Sequence, residues 1–192
     1  MRVSSLQQSD SEGFDELRGD FLSQLVRAID HKQFELASRI LKSKKLDLNS
    51  TDISGNTALI KAIWTRNIKL IEKLIEKGAD VNYSDGYDSV PLIDAVLAGN
   101  NVEVVEMLLE KGADVNSSNS FGETALIETI KILLKKGEGE VKKEKAVKII
   151  EKLLEKGADI NLKYRGETAL VLAAKSGNVQ LVQLLANKSG VK

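Results

Sequence analysis

Apolar residues recur along this chain at spacings of three and four, in paired runs separated by polar turns, and that rhythm predicts pairs of short helices. Phe21, Leu22, Leu25, Val26 and Ile29 mark one helix, and Phe34, Leu36, Ala37, Ile40 and Leu41 mark a second, antiparallel to it. Leu59, Ala62 and Ile63, then Leu70, Ile71, Leu74 and Ile75, mark the next pair. One pair cannot hide such a stripe, so pairs must stack on pairs in an all-α array.

A polar phrase punctuates the array. Lys77-Gly78-Ala79-Asp80-Val81-Asn82 returns as Lys111-Gly112-Ala113-Asp114-Val115-Asn116 and as Lys156-Gly157-Ala158-Asp159-Ile160-Asn161, each directly after a Leu/Ile/Glu/Lys-rich run. Glycine after a last helical turn takes the left-handed conformation at least cost, so the phrase marks where helices stop. Thr57 is placed to cap the helix that follows it, and Pro91, the only proline, sits at a first helical position where its missing N–H does no harm. Gly122-Glu123-Thr124-Ala125-Leu126 repeats as Gly166-Glu167-Thr168-Ala169-Leu170. These marks divide the chain into a polar tail at 1–20, an N-terminal cap repeat at 21–51, and four repeats at 52–84, 85–118, 119–162 and 163–192.

Laid out in this way, residues from Phe21 to about Lys188 resemble the ankyrin repeat family, on the Gly-x-Thr-Ala/Pro-Leu, Gly-Asn and Leu-Leu-Glu-Lys-Gly-Ala-Asp-Val-Asn elements. The resemblance implies an ankyrin-type helix-turn-helix solenoid with short β-hairpin-like connections. It also implies a non-enzymatic module that holds a partner protein on its concave face and hairpin tips. Carried over by position, the tips are Ile53-Ser54, Gly86-Tyr87, Ser120-Phe121 and Tyr164-Arg165; the exposed first-helix positions are Trp64-Thr65, Leu97-Ala98, Lys131-Ile132 and Lys175-Ser176. Where the family commonly has His, this chain has Ile60, Ile93, Ile127 and Val171, and Arg66 stands for an inter-helix Gly.

Composition narrows the functions. With 28 Lys plus Arg against 28 Asp plus Glu the formal charge is zero, so bulk electrostatics favours neither nucleic acid nor membrane. The absence of Cys removes disulfides, thiolate metal sites and a cysteine nucleophile, and fits a reducing compartment. No run of signal-peptide or membrane-span length occurs, so a cytoplasmic monomer is expected, with delivery by a specialised route as the alternative. The Ser/Gln/Asp/Glu-rich stretch from Ser4 to Gly13 predicts a mobile tail.

Twelve residues, Leu134 to Lys145, lengthen the third repeat between its helices. Apolar spacing predicts a longer helical pair whose tip, marked by Gly137 and Gly139, stands roughly 8 Å beyond its neighbours. Lys131 to Lys156 holds nine Lys and five Glu, whereas Asp52 to Asp114 holds six basic and eleven acidic residues. Lys135, Lys136, Lys142, Lys143 and Lys145 form a second basic surface. It is either a solvated helix face or an alternative site for nucleic acid or anionic lipid.

No catalytic set assembles. His31, the only histidine, falls in a turn; Asp85 and Asp88 lack the further ligands of a calcium loop; and Lys136-Gly137-Glu138-Gly139-Glu140 would repel phosphate. No cofactor or metal is expected. The partner surface predicted is Trp64, Tyr87, Leu97 and Phe121 as anchors, Asp85, Asp88 and Asp94 as an acidic rim suited to a basic patch on the partner, and Tyr83, Lys131, Tyr164, Arg165 and Lys175 beyond them. For Trp64 the competing reading is packing over Arg66 and the adjacent cap.

Overall fold

The computed structural model describes residues 21–43, 46–52, 54–84, 88–99, 101–137 and 139–188, and contains ten helical segments among them. Residues 21–30 form α1, followed by α2 (Phe34–Ser43), α3 (Ala58–Thr65), α4 (Ile68–Glu76), α5 (Pro91–Leu97), α6 (Val102–Glu110), α7 (Ala125–Leu134) and α8 (Glu140–Glu155). Two short strands, β1 (Lys163–Tyr164) and β2 (Glu167–Thr168), then pair antiparallel, with Lys163 opposite Thr168 and Tyr164 opposite Glu167, before α9 (Ala169–Lys175) and α10 (Val179–Lys188). The expected tail at 1–20 lies outside the described residues.

The chain forms two compact units divided between Asp80 and Val81. In the first, α4 packs on α2 and α3, and α1 contributes Leu25, Ala28 and Ile29 to the core. In the second, the first helices of successive repeats contact one another, α5 with α7 and α7 with α9, while each also packs on its own partner, α6, α8 or α10. Leu59, Ile60, Leu92, Ile93, Leu126 and Ile127 are all buried: the isoleucines that stand where the family has His are core residues.

Local chemistry sets the helix ends. Thr57, Thr124 and Thr168 each accept the N–H three residues on, at 3.3, 3.3 and 3.4 Å. Val90 has no capping side chain, and Pro91 starts that helix instead. Asn67, Asn101 and Asn178 cap the second helices in the same manner. Gly78, Gly112 and Gly157 carry φ of 92°, 89° and 88°, and the following alanine N–H returns to a carbonyl of the last turn in each copy, at 2.9 to 3.0 Å. Arg66 takes a left-handed conformation too, φ 62°, although it has a Cβ.

The polar phrase then links repeat to repeat. In the first unit Asn49 Oδ1 accepts the backbone N–H of Asp80 at 2.8 Å. In the second, Asn82 Oδ1 accepts from Asp114 at 2.7 Å and Asn116 Oδ1 accepts from Asp159 at 2.7 Å. Meanwhile Asp114 and Asp159 accept the N–H of Asn116 and Asn161, at 2.9 and 2.8 Å, which orients each asparagine for the next link.

The insertion departs from the expected symmetric pair. α7 has 10 residues against 8 in α3, but α8 has 16 against 9 in α4 and α6. Lys135 leaves helical geometry and Gly137, at φ 83°, turns the chain, so α8 takes more of the extra length than α7, about 10 Å of it at helical rise.

Candidate partner-binding surface

Two positions recur in each repeat: the residue just before the N-cap of the first helix, and the residue eight further on. In the third and fourth repeats these are Glu123 with Lys131 and Glu167 with Lys175, and both pairs form salt bridges. In the first and second they are Asn56 with Trp64 and Ser89 with Leu97. No acid stands before the cap there, and the helix position carries a large apolar side chain instead. Trp64 is 52% exposed and Leu97 43%, at the ends of helices whose inner faces are fully buried.

Within the second unit the tips align. Ser120 Oγ lies 3.3 Å from Asp88 Oδ1, joining the second and third hairpins. Next to Ser120, Phe121 is 61% exposed, because Asn119 Oδ1 accepts the N–H groups of Phe121 and Glu123, both at 3.0 Å, and turns the phenyl ring outward. Lys131 Nζ lies 2.6 Å from Glu123 Oε1 and 2.5 Å from Glu128 Oε1, and 5.0 Å from the ring centre of Tyr164 on the fourth hairpin. Arg165 covers the same ring at 5.1 Å.

Electrostatics in this cluster is divided between two carboxylates. Burial alone would raise Glu123, but hydrogen bonds from Lys131, Asn119 and Tyr164 outweigh it and hold the group at about 2. Glu128 is more deeply buried, and desolvation lifts it above the ordinary glutamate range in spite of Lys131. Burial opposes the charge on Lys131, but its bonds to the two glutamates raise it on balance.

Several predicted residues change role here. Asp94 is not part of an exposed rim: it occupies the same place in α5 as Glu128 in α7, turned inward and 5% exposed. Lys131 and Lys175 are engaged with glutamates rather than bare. Tyr83 is half-buried, Asp88 is exposed, and Asp85 and Tyr87 lie outside the described residues. Of the basic surface, Lys143 pairs with Glu140 at 2.9 Å, and Lys135, Lys136, Lys142 and Lys145 are exposed. The sequence reading missed Glu123, Glu128 and Asn119; the signal was the Glu-to-Lys spacing of eight shared by the two Gly-Glu-Thr-Ala-Leu copies.

In the first unit Lys61, one turn before Trp64, is held by two acids. Its Nζ is 2.9 Å from Asp30 Oδ1 and 2.9 Å from Asp52 Oδ2. Burial would raise Asp52, but the bonds from Lys61 and from two backbone N–H groups lower it overall.

Capped helix pairs, glycine-terminated and tied by asparagine side chains from one repeat to the next, define a helical repeat protein that presents side chains on hairpins and first helices. The family description "Ankyrin repeats (3 copies)" matches residues 22–119 and 92–192, and the chain belongs to the ankyrin repeat family. Members of this family generally mediate protein–protein interaction. The chain is similar to Alpha-latrotoxin-Lg1a of Latrodectus geometricus, 30% identical over 69 residues, 35% of this chain and 5% of that protein. It is also similar to Dauer abnormal formation protein 25 of Caenorhabditis elegans, 40% identical over 78 residues, 40% of this chain and 20% of that one. Palmitoyltransferase akr1 of Schizosaccharomyces pombe matches at 34% over 65 residues, 34% of this chain and 10% of that protein. The chain thus spans between 5% and 20% of the length of these relatives.

Proposed function

We propose that this chain is a non-enzymatic protein-binding module whose partner docks on hairpin tips and first helices, with Trp64 in the first unit and Leu97 and Phe121 in the second as apolar anchors. One observation supports this above the rest: where the frame position is ion-paired it is Lys131 or Lys175, and where no acid precedes the cap it is an exposed Trp64 or Leu97. Large side chains left about half exposed at those positions offer area of the kind that dominates interface energetics. In this reading Asp88 supplies part of an acidic rim and Tyr83 adds to the surface, while Tyr87 as a further anchor and Asp85 as a further rim acid lie outside the described residues.

Photo-crosslinking tests it. Benzoylphenylalanine placed singly at Trp64, Leu97 and Phe121 should trap a common protein from the cognate cell extract, and placed at Glu76 and Glu110 on the second helices should not. Equal trapping at all five sites, or none, overturns the proposal.

A further inference from the structure

The first unit contains a groove of about 560 Å³ between α1 and the turn that leads into α3. Its volume lies within the roughly 300–1,000 Å³ that ligand sites occupy. Leu22 and Val26, both half-buried, form an aliphatic wall, and Arg27, Asp30, Asp52 and Lys61 supply four charges.

Three of those charges are committed to one another. Lys61 Nζ lies 2.9 and 3.1 Å from the two oxygens of Asp30 and 2.9 Å from Asp52 Oδ2. Asp52 Oδ1 accepts the backbone N–H groups of Ser54 and Asn56 at 2.9 and 3.0 Å. Arg27 stands one turn before Asp30 on the same helix, yet its guanidinium makes no ion pair or side-chain hydrogen bond among the described residues, because Asp30 turns to Lys61. The open valence of the groove is therefore a planar donor fork beside an aliphatic wall.

We propose that this groove docks a peptide segment of the partner protein in which a carboxylate side chain lies next to an aliphatic one. The carboxylate accepts from Arg27 and the aliphatic group covers Leu22 and Val26. The inference rests on the protein-binding reading above and names the chemistry of one contact. A basic side chain fits worse, since it would have to displace Lys61 from two aspartates while standing beside Arg27. A phosphate fits worse also: the Asp30–Lys61–Asp52 cluster carries one net negative charge, which Arg27 offsets, so a dianion is repelled more than a monoanion.

A randomised nonapeptide library panned against the full chain, followed by fluorescence polarisation of the enriched peptides, tests this. Enrichment of Asp or Glu adjacent to Leu, Ile or Val is expected, with at least tenfold weaker binding to Arg27→Gln and intermediate binding to Arg27→Lys, which keeps the charge and loses the fork. Arg27→Glu should reverse the preference toward the same peptide carrying Lys in place of its acid. Circular dichroism of each exposed-site variant confirms folding. Enrichment of basic or uncharged peptides, no enrichment, or binding indifferent to Arg27 overturns the groove proposal. Peptides that depend on Trp64 and Phe121 but not on Arg27 would overturn it while leaving the protein-binding reading standing.

Discussion

Asn116 grips the following repeat with both ends of its side-chain amide. Its Oδ1 accepts the N–H of Asp159 at 2.7 Å, and its Nδ2 donates to the carbonyl of Gly157 at 3.3 Å. Asn82 makes the same two bonds one repeat earlier, to Asp114 at 2.7 Å and to Gly112 at 2.9 Å. The 12-residue insertion inside the third repeat leaves this link in place, since it lengthens the helical pair away from the hairpins.

Asn116→Ala should therefore cost about 1–2 kcal/mol, two hydrogen bonds at their usual net worth. Urea unfolding followed by circular dichroism measures it. Asn116→Asp retains the acceptor but loses the donor and should fall between wild type and alanine; an alanine variant as stable as wild type would show the link to be energetically idle.

Arg66→Gly should stabilise the chain by about 1 kcal/mol, because Arg66 holds a left-handed conformation at φ 62° that glycine adopts without a Cβ clash. Its reciprocal is Gly78→Ala, at φ 92° with no atom near the added Cβ, which should destabilise by about the same amount through backbone strain alone. Thermal melting of both variants checks the pair.

Glu123 and Glu128 should answer pH with opposite signs. Glu123 is held at about 2 against an ordinary 4.5, so its stabilisation is full above 4.5 and is lost as pH falls through about 2. The melting deficit of Glu123→Gln relative to wild type should accordingly be largest near neutrality and vanish by about pH 2. Glu128 is raised, so its charged form weakens the fold once pH exceeds its folded value, and Glu128→Gln should melt no lower than wild type at neutral pH.

Trp64→Ala should change the melting temperature little, the side chain being 52% exposed, yet weaken partner binding more than tenfold. Isothermal titration with the trapped partner decides it. A large melting loss instead would assign Trp64 to packing over its own unit.

Heparin chromatography should show weak, low-salt elution, unchanged when Lys135, Lys136, Lys142, Lys143 and Lys145 are all replaced by Gln. Lys143 is paired with Glu140, and Glu144 intervenes between lysines on the same helix. Strong retention abolished in that variant would favour the nucleic-acid or lipid reading.

Helix pairs, their stops at Gly78, Gly112 and Gly157, and their starts at Thr57, Thr124 and Pro91 were all determined by sequence alone, because caps and glycine turns are short-range chemistry and periodicity states which face must be buried. Burial at a given frame position was not. Asp94 and Lys61 occupy equivalent places after their caps, yet Asp94 is enclosed while Lys61 reaches two acids from other elements. The pairing of Lys131 with Glu123, its contact with Tyr164, and the pairing of Asp30 with Lys61 depend on side chains 8 to more than 30 residues apart meeting in space. Only the tertiary structure decided those, since a charge's partner is set by distance across packed helices and the sequence states only its neighbours along the chain.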